Sequence, residues 1–137
     1  MEQKDYLLRE IEKIGVLLRS VFNQLAGRKN DFAFIAENQI EEAKGLLFQE
    51  TGFDMDIFLS LTDSETAQYI SKYDVLKGPN TELLADILKE MGMKAGSAIA
   101  EEYLRKALMV YELCSSIDKT FSFDRERKIR EINNALS

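Results

Sequence analysis

The sequence contains no histidine. That removes the commonest general base near neutral pH and the commonest metal ligand. It also excludes the Glu-x-x-His pattern of helical di-iron proteins. There is a single cysteine, too few for an internal disulfide or for a zinc site built from Cys and His. A lone thiol fits a reducing compartment, so a cytoplasmic location is expected. One proline and seven glycines argue against disorder and against a loop-rich fold. No apolar run approaches the roughly 20 residues of a membrane span. Met1-Glu-Gln-Lys-Asp5 is charged and leads into an amphipathic stretch, so no secretory signal is expected there. The glycines lack the strand and the Gly-Lys-Ser/Thr ending that give a phosphate loop meaning.

What is present is ordinary for a globular chain of 137 residues: 45% hydrophobic and 31% charged side chains. This length predicts one domain, residues 1–137, with a core of its own. The charge is uneven. Between Asp31 and Glu65 stand nine acids (Asp31, Glu37, Glu41, Glu42, Glu50, Asp54, Asp56, Asp63 and Glu65) against Lys44 alone. That segment is net −8 in a chain of net −6, which leaves +2 for the rest. An acidic surface repels phosphate backbones, so no nucleic-acid partner is expected. It is either a solvated face or a surface that steers a basic partner.

The apolar pattern is helical throughout. In residues 5–26, Leu7, Ile11, Ile14, Leu18, Val21 and Leu25 follow steps of four and three, a heptad seam widened by Leu8, Leu17 and Phe22. A wide stripe predicts burial against more than one neighbour inside the chain; a homodimer through these six residues is the alternative. Gly15 sits within this helix, where a close helix crossing would account for it. Asp31 is placed to cap a second helix over 31–50, with Ala36, Ile40, Ala43 and Leu47 inward and Phe32, Ile35, Leu46 and Phe48 beside them. The two form the first hairpin. Residues 53–77 read as an irregular helical linker. Asp54 caps a short helix there, and Thr62-Asp63-Ser64-Glu65 has capping-box spacing. Asn80 is a suitable N-cap for a helix carrying Leu83, Leu84, Ile87, Leu88 and Met91. Gly92 and Gly96 bracket the expected turn, and a second helix carries Tyr103, Leu104, Ala107, Leu108, Tyr111 and Cys114. Glu101–Arg105 and Glu102–Lys106 should lace its outer face. These two helices form a hairpin over 80–116. Ser122 caps a closing helix over 122–136, with Phe123, Ile129, Ile132 and Leu136 inward and Asp124–Lys128, Glu126–Arg130 and Arg127–Glu131 paired outside.

No stretch alternates at period two. The expected fold class is therefore all-α: five or six helices, stacked as antiparallel hairpins into a short α-α superhelix or a compact bundle.

Within 80–116, the run Ala100-Glu-Glu-Tyr103-Leu104-Arg-Lys-Ala107-Leu108 resembles the second helix of a tetratricopeptide repeat. There a small residue, a large one four later and a small one three after that pack against the first helix. Leu84, Ile87, Leu88 and Met91 match the first helix's spacing. Leu88 and Met91 stand where the repeat prefers glycine and tyrosine, and Glu112 where it would end in proline. The ending Ser122-Phe-Asp-Arg-Glu-Arg-Lys-Ile129 also looks like the closing helix of uncharacterised bacterial helical-repeat proteins. The resemblance implies a fold and a groove for a peptide or partner helix. Its groove-facing positions would be Glu82, Ala85, Lys89 and Met93.

Reactive groups form no recognisable constellation, so no catalytic residue, cofactor or metal site is expected. Asp54 and Asp56 lack the spacing of a calcium loop. Cys114 falls on an apolar face as a small buried residue. A pocket among Tyr69, Tyr73, Tyr103 and Tyr111 would be needed for an enzyme or a small-ligand protein. The expected function is a non-catalytic protein–protein interaction module or adaptor of the bacterial cytoplasm. A self-associating helical protein is the alternative.

Overall fold

The computed structural model describes residues 2–27, 33–119 and 121–137. The chain runs through α1 (Glu2–Gly27), α2 (Ala33–Thr51), α3 (Met55–Ser60), α4 (Asp63–Ser71), a 3-10 turn (Asp74–Leu76), α5 (Pro79–Lys94), α6 (Ser97–Asp118) and α7 (Phe123–Leu136). The fold is all-α, with no strand among the described residues. The expected linker separates into α3, α4 and the 3-10 turn, which accounts for the extra helices. The Asp31 cap and Phe32 lie outside the described residues, as do the side chains of Ile35 and Ala36.

Helix α5 lies at the centre. Leu84, Ala85, Ile87, Leu88 and Met91 are fully buried, and each large side chain contributes about 1.5–3 kcal/mol by leaving water. The helix begins two residues earlier than the Asn80 cap predicts. Gly78 holds the left-handed φ of 64° before Pro79, which occupies the first turn, where a missing N–H costs nothing. This frees the Asn80 side chain. It is 1% exposed, and its Nδ2 donates to the Ile11 carbonyl at 2.7 Å and the Val75 carbonyl at 2.8 Å. Thr81 adds a bond to the Leu76 carbonyl at 2.6 Å. A β-carbon on Gly15 would stand 2.8 Å from Asn80 Oδ1. The close crossing expected at Gly15 is thus present, and α5 is the helix that makes it.

The turn bracketed by Gly92 and Gly96 is present at Ala95–Gly96, and Gly92 itself stays helical. Helix α5 continues to Lys94, and a β-carbon at Gly92 would meet Leu104 at 2.7 Å and the Ala100 carbonyl at 3.2 Å. The glycine lets α5 and α6 touch close to the turn that joins them. Gly92 against Leu104 and Asp86 against Tyr111 run in opposite directions along the two helices, so the pair is antiparallel. In α1, Ile14, Leu18, Val21 and Leu25 are buried within the chain. The heptad seam is therefore used intramolecularly and is not a free dimer face; only Leu7 and Ile11 remain half-exposed.

The corner after α2 is built on rings. Phe53, Phe58, Tyr69 and Tyr73 stack edge to face or tilted at centroid distances of 5.0–6.0 Å. Asp54 caps α3 by accepting from the Ile57 amide, and the Thr62 amide donates to Glu65 at 3.0 Å. That backbone bond holds the Glu65 carboxyl below its ordinary pKa.

Two residues, Lys106 and Phe123, depart from their expected places. Lys106 does not pair outward with Glu102. It is 6% exposed and donates to the Leu61 carbonyl at 2.8 Å and the Thr66 hydroxyl at 2.7 Å, with its ammonium 5.3 Å from the Phe58 ring centroid. Its neighbours one turn either way, Tyr103 and Val110, are buried too: the α3–α4 corner covers this face of α6. Burial lowers its pKa. In α7, Phe123 is 83% exposed, not inward. The inward row runs Arg125, Ile129, Ile132 and Leu136 in steps of four, three and four, with Arg125 and Ile132 buried and Ile129 and Leu136 half-buried. Phe123 is six residues before Ile129, which puts it on another face. Ser122 caps α7 as expected, accepting from the Arg125 amide. Asp124–Lys128 and Arg127–Glu131 pair at 3.1 and 2.6 Å.

Candidate functional site: a trough between α2 and the α5–α6 elbow

Helix α2 presents Glu37, Ile40, Glu41 and Lys44 along one side, at helical spacing. The start of α6 presents Ile99, Glu102 and Tyr103 opposite, after Ala95 and Gly96 of the elbow, and α3 adds Asp56 and Leu59. Between them lies an open depression of about 320 Å3. A second, of about 250 Å3, continues past Gly45 and Phe48 to Asp54 and Met55 and shares Glu41, Lys44 and Asp56. The two are halves of one trough. Its bar is Lys44, whose ammonium reaches Asp56 at 2.7 Å and Glu41 at 3.1 Å. Burial works against the charge on Lys44, but the two carboxylates outweigh it and raise its pKa. Burial also raises the pKa of Tyr103, with the nearby ammonium of Lys44 opposing.

The first half alone carries four carboxylates (Glu37, Glu41, Asp56 and Glu102) against one ammonium. Ile99 in one half and Phe48 in the other are more than half exposed. The acid-rich segment seen in the sequence thus folds into one wall, and Ile99 and Glu102 reach it from across the chain. No sequence signal near Ile99 marks that meeting. The trough offers side-chain acceptors and hydrocarbon but no nucleophile beside a base. Among the described residues, no group of three or more His, Cys, Asp or Glu is placed to hold a metal ion.

The positions singled out by resemblance fall elsewhere. Ala85 is fully buried. Glu82 accepts from Arg125 at 2.7 Å and Lys128 at 3.2 Å, and Lys89 pairs with Glu131. Helix α7 therefore lies over Glu82 and Lys89, where an open groove was expected; Met93 alone of the four is exposed, at 44%. Arg125 is saturated: five bonds join it to Glu82, Asp118 and Ser115. Asp118 and Glu82 raise its pKa above the usual arginine value. It is a structural cation, missed in the sequence because its partners lie on α5 and α6.

The four tyrosines do not converge. Tyr69 and Tyr73 share the ring cluster, where the hydrogen bond to Tyr69 is the main cause that pushes Tyr73 up to about 12. Tyr103 lines the trough. Tyr111 is buried and donates to Asp86; burial, then that carboxylate, push its pKa up. Cys114 is buried, which raises its thiol to about 11. Among the described residues, no helix is long and apolar enough to cross a membrane. No family model, curated protein or solved structure matches the chain.

Proposed function

We propose that this chain is a non-catalytic interaction module, an adaptor of the bacterial cytoplasm, and that it takes a peptide or partner helix in the trough between α2 and the α5–α6 elbow. The observation that carries the reading is the pair of facing helical rows, Glu37–Ile40–Glu41–Lys44 and Ile99–Glu102–Tyr103, with open space between them. A helix lying in such a groove contacts both rows through its own i, i+3 and i+4 positions. The tetratricopeptide-like hairpin supplies one wall through its elbow. The groove first suggested by that resemblance is replaced by this one, because α7 lies over Glu82 and Lys89.

The test is a photo-crosslinking amino acid at position 102, with the same group at exposed Arg19 on α1 as control. In native cytoplasm the position-102 protein should give a discrete adduct that the control lacks. Identical patterns from both positions would refute the site.

A further inference from the structure

We propose that the occupant of the trough is a cationic amphipathic helix, one of whose Lys or Arg side chains displaces Lys44 from Asp56 and Glu41. This rests on the trough being the partner site. Three observations point to that chemistry. The rim is acidic on both walls, from Glu37 and Glu41 on α2 to Glu102 on α6, so a basic partner is attracted and an acidic one is repelled. Apolar anchors are exposed at the two ends, Ile99 and Phe48, which calls for hydrocarbon on the same face as the charge. Lys44 already holds its ammonium on two carboxylates, Glu41 of its own helix and Asp56 of α3; it occupies the place of a ligand cation and divides the trough.

Gly45 gives a fourth, independent observation. Helix interiors disfavour glycine, and Gly15 and Gly92 each have a neighbour that requires it. Gly45 stands in mid-α2 with nothing within 4 Å of the position a β-carbon would take. The fold makes no use of the missing side chain. A helix seated beside Phe48 and Asp56 does, because its backbone can approach α2 there.

The test uses the full chain and a fluorescein-labelled Leu/Lys peptide of about 18 residues, long enough to be helical when held. A Leu/Gln peptide with the same Leu pattern is the comparison. By anisotropy, the Leu/Lys peptide should bind and the Leu/Gln peptide should bind far more weakly. Raising the salt from about 0.05 to 0.5 M should loosen the complex. Lys44→Met should tighten it about two- to fivefold, the range of one exposed ion pair released to the ligand. Gly45→Leu, a change into open space, should abolish binding while leaving the circular dichroism of the free protein unchanged. Equal binding of both peptides, with Lys44→Met neutral and Gly45→Leu still blocking, would overturn the cationic partner and leave the trough reading standing. Binding of either peptide that ignores Gly45→Leu would overturn both.

Discussion

Replacing Gly15 with alanine tests the packing of α1 on α5. In an unhindered helix interior the change stabilises by about 1 kcal/mol. Here the new methyl would lie 2.8 Å from Asn80 Oδ1, 3.7 Å from Cγ and 3.9 Å from Nδ2. The amide cannot turn aside freely. Its Nδ2 is held by two carbonyls at 2.7 and 2.8 Å, and the residue is almost wholly buried. Relief means stretching or losing bonds of a buried amide, each worth about 1–3 kcal/mol when left unmade. The net expectation is a loss of about 1–3 kcal/mol, read from urea midpoints by circular dichroism at unchanged m-value. The sign should reverse in an Asn80→Ala background. There the methyl has room, and Gly15→Ala should stabilise by about 1 kcal/mol. Asn80→Ala alone should destabilise, because the Val75 carbonyl loses its donor. A Gly15→Ala protein more stable than the parent, or a double-mutant cycle showing no coupling, would refute the proposed crossing.

Gly92→Ala should destabilise by about 1–3 kcal/mol, the cost of overpacking, because its methyl would meet Leu104 at 2.7 Å; Leu104→Ala in the same chain should remove the clash and make the two changes non-additive in denaturant titrations. Lys106 has a depressed pKa in the folded chain because burial disfavours its charge. Its unfavourable charging is relieved as pH rises through that depressed value towards 10.5, so the parent should gain stability relative to Lys106→Met across that window, measured as the difference between their urea midpoints. Glu131 is held below its ordinary pKa chiefly by the bond from Lys89, and Asp124 by that from Arg127. Their contribution is present above the unfolded carboxylate pKa and is lost as pH falls through the folded values, so the parent should lose more stability than Lys89→Met between pH 5 and pH 3. Cys114 is buried with its pKa near 11; a thiol reagent at pH 8 should label it only as fast as the chain opens, and faster labelling would show the α6 face to be accessible.

The features legible in the sequence are those decided within one turn. The Asp54 and Ser122 caps, the Glu65 half of the Thr62 box and the stepwise apolar rows of α1 and α2 are local agreements of side chain with backbone. What was not legible was settled by partners far along the chain. Asn80 looks like a cap until Ile11, 69 residues earlier, provides a carbonyl. Lys106 has an eligible acid four residues before it, yet Leu61 and Thr66 claim it. Gly92 carries the same composition signal whether it turns the chain or admits Leu104. The trough divides in the same way: its α2 wall lies within the acid-rich stretch, whereas Ile99 and Glu102 join only once α5 and α6 have paired.

Helix α7 joins the rest through the cations Lys89, Arg125 and Lys128 and their carboxylates, and of its own hydrocarbon side chains only Ile132 is buried. Its outer pairs at Arg127 are exposed enough for dissolved ions to compete with, whereas the buried Arg125 pairs and the apolar row of Ile129, Ile132 and Leu136 are screened little. The α7 amides should therefore exchange by partial excursions before those of α5, whose inward side chains are fully buried and which should wait for the whole chain to open.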